Sequence, residues 1–597
     1  MCGFTGVISN SILTKDFIFK CNEISQCRGP DSTEYYQSKI GDFNIYQIFN
    51  RLSILDLSKD ANQPMISKEF DNSIMFNGEI YNHADLRKLL ISKNLEFKTN
   101  HSDTEVLLNG LSYFGIEFIN QLIGQFSIFF NSFKNKKAYL IRDRLGQKPL
   151  YYCYSKNNFS FGSNLKTLLK VNNNSFSISD SAVSEYLNYG YVSSPNTIFN
   201  NFKKIKPGNF LTVDYSGPKI KLIEKEYWNV KHLDSENDFN AEEFFDIFDD
   251  ANKIRQNADV DVANFLSGGL DSSSIVKSTF ESNKNINTFS IYVNNKKYDE
   301  SEYIKTVVDK YNTNHVSVNI SSQINTDDIL ESINSLDEPY SDPSVVPSYI
   351  LSKEISKHYK VAISGDGGDE LLGGYKRSLD SLKNSNNFLS NLFSYLYYVY
   401  PPYLGSGNKF LSKSSNLETR YRSYLEDEKL LDLLGLKSQK HQFANDLNNN
   451  PKYSYKELIK AEYKLYLPEM MMFKVDRTSM ANSLEVRSPF VDHRLVEYIL
   501  SISNNQLEKL SGKKLLKGYL SNDFNNEFIN RKKQGFVFDV ESWVFNNIVF
   551  INEYLDRGLL VKDMKPNILN LLTRNKTRIN GIRIFKLFIL ENYLQNL

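Results

Sequence analysis

Cysteine is scarce. Four stand at positions 2, 21, 27 and 153, and none follows, which argues against a disulfide framework and makes a reducing compartment the default. The seven histidines are scattered, and no Cys/His spacing resembles a zinc site. An excess of one charge is also missing. The formal net charge of +1 offers no electrostatic case for nucleic-acid or membrane partners. No apolar run reaches the roughly 18 residues of a membrane-spanning helix. The nearest, Phe388 to Tyr400, is short and aromatic and ends in Pro401-Pro402; it is expected to be a helix packed in a core. The first residues have neither the basic region nor the apolar stretch of a signal peptide. The expected location is the cytoplasm.

The 597 residues are too many for one core and imply two to four domains. Apolar residues at 41% and charged residues at 24% fit a folded soluble chain. Up to about 215 the sequence is rich in short runs bounded by Gly, Asn and Asp, such as Phe43-Gln47, Ser73-Phe76, Phe126-Phe130, Ala138-Arg142 and Leu150-Tyr154. These predict strands; Leu86-Leu90 and Thr104-Leu111 predict helices. Residues 206–218 predict a final hairpin, and polar residues 229–240 a linker. The first domain is therefore placed at 2–218 and the second at 235–597. In the second, helices alternate with apolar runs: Ala241-Arg255, Val260-Leu266, Ser272-Glu281, Thr288-Val293, Ser301-Tyr311, Lys360-Ile363. That alternation predicts a parallel sheet, with ligands beyond the carboxyl ends of its strands. From about 410 the chain reads as mostly helical.

Two regions carry chemistry. Cys2 would, after removal of Met1, hold a thiol nucleophile and a free α-amine on one residue, and such an amine can serve as base for its own nucleophile. Acyl transfer also needs oxyanion donors and a substrate holder. Asn77-Gly-Glu-Ile-Tyr-Asn-His83 supplies an amide, an unhindered N–H at Gly78 and the Glu79 carboxylate. Asp103 and Arg51 would suit the ammonium and carboxylate of an amino acid, although a turn at Asn77-Gly78 and a structural ion pair at Arg51 are alternatives. The second region is Leu266-Ser-Gly-Gly-Leu-Asp-Ser272, between an apolar strand and a helix. Gly268 and Gly269 allow close backbone approach, Ser267 and Ser272 add hydroxyls, and the helix start attracts an anion. The loop lacks the lysine of the usual γ-phosphate loop. Ser364-Gly-Asp-Gly-Gly-Asp-Glu370 follows the next strand. Acids crowded in a glycine turn suit a cation shared with ATP phosphates, so Asp271 and Asp369 are the Mg²⁺ candidates. Lys513 would steady leaving pyrophosphate; a solvated lysine face is the alternative. Lys474-Met480 and Leu484-His493 read as polar core contacts.

Together these motifs resemble the glutamine-dependent asparagine synthetases, nearly end to end. The marks are Cys2-Gly3, Arg28-Gly-Pro-Asp31, Arg51-Leu-Ser-Ile54, Asn77-Asn82, Ser102-Asp-Thr-Glu105, Arg142-Asp-Arg-Leu-Gly146, the two glycine turns and Lys532-Lys-Gln-Gly-Phe536. The resemblance implies an α+β N-terminal-nucleophile hydrolase sandwich (αββα) followed by an α/β parallel-sheet ATP-pyrophosphatase domain. It implies that Cys2 releases ammonia from glutamine, that Asn77 and Gly78 form the oxyanion hole, and that Arg51, Glu79 and Asp103 hold the glutamine. Leu266, Ile291, Ser364 and Gly365 would contact ATP, and Asp366 stands where the family has an acid tied to adenylate formation. The implied substrates are glutamine, ATP with Mg²⁺, and aspartate; a homodimer is among the assemblies left open. Ser163-Asn164-Leu-Lys166 departs from the family's Ser-Glu-x-Lys, which bears on the domain interface or tunnel. Asp337-Pro343 and Gly365-Asp369 resemble a broad bacterial branch, which leaves another carboxylate, such as a uronic acid of surface polysaccharide, as the alternative acceptor.

Overall fold

The computed structural model describes residues 2–597 except 234, 294–299, 321–324, 383–386, 415, 438–454, 532–537 and 561–567. The expected motif Lys532-Phe536 therefore lies outside the described residues.

The first unit is two stacked antiparallel sheets. One orders its strands Phe202–Lys204, Tyr151–Ser155, Asn158–Gly162, Gly3–Ser9, Phe43–Arg51, Ser32–Ile40. The other runs Lys221–Glu226, Asn209–Asp214, Lys137–Arg142, Gly124–Ser132, Asn72–Ile80, Met65–Ser67. The sheet alternation of two builds both layers at once. Phe43, Ile45 and Phe49 face inward with Phe4, Ile8, Met75, Phe129, Leu140 and Phe161. Tyr46, Ile48 and Val7 face outward against the helix Lys15–Asn22. On the far side the helices His83–Ile91 and Asp103–Phe114 cover Ile74, Phe76 and Ile128. Strands buried on both faces explain why Gly3–Ser9 and Phe43–Arg51 are buried throughout. The result is the expected αββα sandwich.

The first unit runs past the expected end at 218. The hairpin partner of Asn209–Asp214 is Lys221–Glu226, in register from Asp214–Lys221 to Asn209–Glu226. That strand is charged and mostly exposed, so it carries little of the apolar alternation by which a strand is recognised.

The second unit is built on a five-stranded sheet ordered Asn314–Ile320, Asn287–Val293, Val262–Phe265, Val361–Ile363, Glu485–Arg487. Every pairing is parallel. The glycine turns at 266–269 and 364–368 follow two adjacent inner strands, Val262–Phe265 and Val361–Ile363, side by side at their carboxyl ends. The edge strand Glu485–Arg487 pairs with Val361–Ile363 across more than a hundred residues of sequence. Its three buried residues, two of them charged, show no periodicity, only tertiary pairing. The segment expected to be a core helix is the helix Asn387–Val399, but its Leu392, Tyr395, Tyr398 and Val399 are exposed. Among its described side chains, Ser390, Phe393, Leu396 and Tyr397 turn toward the protein. An apolar segment with two faces cannot declare from sequence which of them is covered.

The units meet through buried charge. Arg28 donates two bonds to Asp476, at 2.8 and 3.1 Å, and a third from Nε to the Cys2 carbonyl at 3.2 Å. Lys148 approaches the same carboxylate at 3.6 Å. Beside it, Arg477 pairs with Asp337 at 3.0 Å and donates to the Tyr151 hydroxyl at 2.6 Å, while Lys204 meets Glu338 at 2.7 Å. These are the polar core contacts expected around 474–480. Burial opposes ionisation of Asp476, yet Arg28, Lys148 and Arg477 hold its carboxyl down at about 2.

Asp476→Asn would leave Arg28 and Lys148 buried without their carboxylate, a change that costs about 3–5 kcal/mol in comparable pairs. Thermal unfolding of the variant is expected to begin well below that of the wild type. The depressed carboxyl sets the pH sign. Its contribution is complete above the unfolded value of about 4 and is lost as pH falls through the folded value. The wild-type advantage over the variant should therefore shrink below about pH 4, and an advantage that grew with acidification would contradict the assignment.

Candidate active sites

Cys2 leads into the strand Gly3–Ser9, central in its sheet. Its backbone N–H donates to Asn77 Oδ1 at 3.0 Å, tying the nucleophile to the facing strand Asn72–Ile80. Burial pushes the thiol pKa up, with Arg51 offsetting part of that. The thiol therefore needs a base.

A cavity opens beside it, and its walls include Cys2, Arg51, Gly78, Glu79 and Asp103. Gly78 is required there twice over. Its φ is +154°, and a Cβ would stand 2.0 Å from the Gln125 carbonyl. Asp103 starts the helix Asp103–Phe114 and accepts the Ile80 N–H at 3.1 Å. Burial raises the pKa of both Glu79 and Asp103, and the Asp103 carboxylate adds to the shift at Glu79. Arg51 spends its terminal N–H groups locally: on the Ser58 carbonyl and Asn62 Oδ1, both at 2.7 Å, on Leu55 at 3.4 Å and on Asp56. It holds the loop 52–62 as a wall, so a two-pronged grip on a substrate carboxylate requires that loop to yield. Gln63 escaped the sequence reading. Its amide accepts the Phe76 N–H at 2.6 Å and donates to the Phe76 carbonyl and Thr104, fixing the cavity floor. Nothing in its local sequence marks it.

In the second unit, Ser267 and Ser272 hydroxyls lie 3.2 Å apart and the Gly269 N–H donates to Ser267 Oγ at 3.3 Å. The helix Leu270–Ser282 begins there. Gly268 has φ +66°, and a Cβ would press on Ile304 N at 2.9 Å. The two glycine turns touch: Cβ atoms at Gly365 and Gly368 would stand 2.9 Å from Asp271 Cβ and 2.6 Å from its Oδ1. Lys513, itself at φ +61°, places its ammonium between Asp369 at 2.6 Å and Asp271. Burial would lower its pKa, but the two carboxylates raise it. The lysine is thus no solvated face. Leu266 and Ser364 are buried at the strand ends, Ser364 N–H donating to the Arg487 carbonyl at 2.8 Å. The Asp366 carbonyl accepts from Ser488. Ile291 stands on the neighbouring strand Asn287–Val293, opposite Val318.

Between the two sites lies an interior cavity lined by Gln125, Gln147, Lys148, Met472, Asp476, Val486 and Ser364. Gln125 backs onto Gly78 of the first site, and Ser364 belongs to the second. Arg487 crosses the gap, reaching Glu79 at 3.2 Å and Glu485 at 2.6 Å. Against the cost of burial, Arg487 and Lys148 hold Glu485 well below the usual carboxylate range. Asn164 makes no polar contact of this kind. Its Oδ1 accepts the Thr167 N–H at 3.0 Å as a helix cap, while the next residue, Leu165, donates its N–H to Asp337 at 3.1 Å. Among the described residues no group of three His, Cys, Asp or Glu converges as a metal cage; the Asp271–Asp369 pair is the acidic site at the turns.

Two family profiles match the chain. A family profile described as glutamine amidotransferase domain matches residues 1–228, and one described as asparagine synthase matches residues 243–564. Asparagine synthetase (glutamine-hydrolyzing) 1 of Bacillus subtilis is 31% identical over 92% of this chain and 88% of its own length. A putative asparagine synthetase (glutamine-hydrolyzing) 2 of Methanocaldococcus jannaschii is 35% identical over 64% of this chain and 77% of its own.

Lys513→Met would leave Asp271 and Asp369 facing each other without a cation. Two close carboxylates cannot both ionise cheaply, so one takes a proton at higher pH. A carboxyl raised on folding loses its stability contribution as pH rises above the unfolded value. The variant should therefore lose thermal stability relative to wild type as pH rises from about 4 to 7; an unchanged gap across that range would mean the lysine does not neutralise the pair.

Proposed function

The chain belongs to the glutamine-hydrolysing asparagine synthetases, ATP-dependent ligases, and from that premise we propose that it makes asparagine by glutamine-dependent amidation of L-aspartate. The observation that carries the reading is the pair of sites with an interior cavity between them, walled at one end by Gln125 and at the other by Ser364.

At the first site, with Met1 removed, the Cys2 amine takes the thiol proton and the sulfur attacks the side-chain amide carbon of glutamine. The Asn77 amide and the Gly78 N–H receive the oxyanion. The C–N bond breaks, ammonia leaves with the returned proton, and water hydrolyses the thioester to glutamate. Glu79 and Asp103 face the α-ammonium of the substrate, and Arg51 faces its carboxylate. At the second site the turn from Leu266 to Ser272, with Ile291, Ser364 and Gly365, cradles ATP. Asp271 and Asp369 suit a Mg²⁺ ion, since both reach one Lys513 ammonium; a bound Mg²⁺ would neutralise the phosphates. Lys513 then turns to the leaving pyrophosphate. The acceptor carboxylate, positioned near Asp366, attacks the α-phosphorus and displaces pyrophosphate. Ammonia arriving through the interior cavity attacks the acyl carbon, and AMP leaves. Delivery from within matters because free ammonia is mostly protonated at neutral pH and an enclosed path raises its effective concentration.

The test is pyrophosphate release with ATP, Mg²⁺ and glutamine, with and without L-aspartate, followed by product analysis. Aspartate-dependent release with asparagine formed is expected. Intact glutamine hydrolysis with pyrophosphate release that aspartate does not raise would overturn the acceptor assignment and move the search to sugar acids. Cys2→Ala should abolish glutamine-dependent synthesis and keep ammonia-dependent synthesis. Asp271→Asn should spare glutamine hydrolysis and suppress pyrophosphate release, with either nitrogen source, by about a hundredfold or more, on the scale of a lost electrostatic contact in a transition state. Loss of both half-reactions in either variant would contradict two separable sites.

A further inference from the structure

The wall of the first cavity is held in part by the second unit. Leu52, Ile54 and Leu55 line that cavity. Leu52 and Ile54 also pack against Val361 and Met480, with Val260 and Val262 beside them. Asp259 stands at this seam. Its Oδ2 accepts the backbone N–H of Asp56 at 2.7 Å and lies 2.6 Å from His101 Nε2. A carboxylate only accepts, so Nε2 carries the proton of that bond. The Asp259 N–H donates in turn to the Ile54 carbonyl at 3.0 Å. A second tie lies close by: Asp31 Oδ2 accepts both Lys360 Nζ and the Ser53 N–H, each at 2.7 Å.

The two segments gripped by Asp259 are those that place the substrate holders. The segment 52–56 follows Arg51, and its Leu55 and Asp56 carbonyls accept from the Arg51 guanidinium. His101 stands two residues before Asp103. Arg51 and Asp103 suit opposite ends of an amino acid, the carboxylate and the ammonium. One oxygen of the second unit thus bonds the supports of both ends.

The same contacts divide the loop 52–62. Leu52, Ile54, Leu55 and Asp56 are buried, whereas 57–60 is exposed. Within the exposed part Ser58 is tied back to its own loop, its hydroxyl donating to Asp56 Oδ1 at 2.6 Å. Asp56 itself has φ +51°, a left-handed backbone that a non-glycine residue keeps only where its surroundings hold it. The part free to yield to a substrate carboxylate is therefore 57–60. The part fixed by Asp259 keeps Arg51 and the cavity wall in place.

We propose that Asp259, with His101 as its counterpart, is a positioning residue for glutamine: it fixes the segment 52–56 and the approach to Asp103, so that Arg51 and Asp103 keep the spacing of the substrate's carboxylate and ammonium. The assignment rests on the reading of the first site as a glutaminase and is independent of which carboxylate is amidated. Its effect falls on binding, because the Asp259 carboxylate bonds the supports of the holders while Cys2, Asn77 and Gly78 are placed by the sandwich strands. Asp259 lies before the amino end of the strand Val262–Phe265, and the proposed ATP turn follows its carboxyl end, so the contact is remote from the second site's chemistry.

The experiment is steady-state glutamine hydrolysis by the full chain, followed as glutamate release, beside ammonia-dependent pyrophosphate release. Asp259→Ala should raise the KM for glutamine about tenfold, the scale of a lost hydrogen bond to a charged group. Its kcat should stay within about twofold of wild type, since a binding contact is what is removed. Asp259→Asn keeps an acceptor oxygen for the Asp56 N–H and should hold KM within about threefold of wild type. His101→Ala should raise KM, and adding it to Asp259→Ala should raise KM no further, because the two side chains act as one contact. Ammonia-dependent release should be unchanged throughout. An Asp259→Ala enzyme with wild-type KM overturns the proposal, as does a fall in kcat with KM unchanged, or full additivity with His101→Ala. If Asp259→Ala also loses ammonia-dependent release, His101→Ala decides, and an unchanged KM there overturns the proposal. A wild type that hydrolyses glutamine yet forms no asparagine refutes the acceptor assignment alone and leaves the KM comparison intact; a wild type that hydrolyses no glutamine refutes both.

Discussion

The arrangement of both sites depends on the carboxylate of Asp476. It is buried where three cations converge: Arg28 and Lys148 from the first unit, Arg477 from its own. None of these charges could remain in a low-dielectric interior unpaired. Because Arg28 also holds the Cys2 carbonyl, the position of the nucleophile is set by a residue of the other unit. Domain interfaces are commonly polar and yielding. This one is joined by geometry-specific ion pairs, and the neighbouring Lys204–Glu338 pair and Arg477–Tyr151 hydrogen bond extend it. Such pairs contribute little net stability; here they define one relative placement of the two units.

That placement gives the interior cavity its walls. Lys148 and Asp476, which join the units, also line it, together with Gln125 behind the first site and Ser364 at the second. The same residues therefore hold the units together and bound the proposed ammonia route. Arg487 works likewise, joining Glu79 of the first cavity to Glu485 of the edge strand. A disturbance at one site is physically connected to the other through these charges.

The second site shows how topology concentrates weak motifs. The two glycine turns are separated by about a hundred residues, yet their strands are neighbours in a parallel sheet. Right-handed crossovers deliver both turns to the same edge. Asp271 and Asp369 come together for that reason, and Lys513, from a distant loop, lies between them with its backbone in the left-handed region. The ammonium lies between the two carboxylates that the sequence offers as Mg²⁺ candidates.

The sequence by itself determined the local elements and the motif chemistry. The helix Ala241–Arg255, the strands of the sandwich and the strand–turn–helix around Ser267 follow from periodicity and glycine placement. Cys2, Asn77, Gly78, Arg51, Glu79 and Asp103, grouped from the sequence by chemical type, are gathered around one cavity. Tertiary structure decided what periodicity does not encode. It paired the short charged strand Glu485–Arg487 with a strand far away in sequence and extended the first unit through the exposed strand Lys221–Glu226. It recruited Gln63, Gln125 and Lys148, whose neighbours in sequence carry no signal, and tied Arg51 to its own loop carbonyls. It also turned the aromatic face of residues 392–399 outward. Local patterns record what a segment can bury; only the packed chain decides which surface it buries, and against which partner.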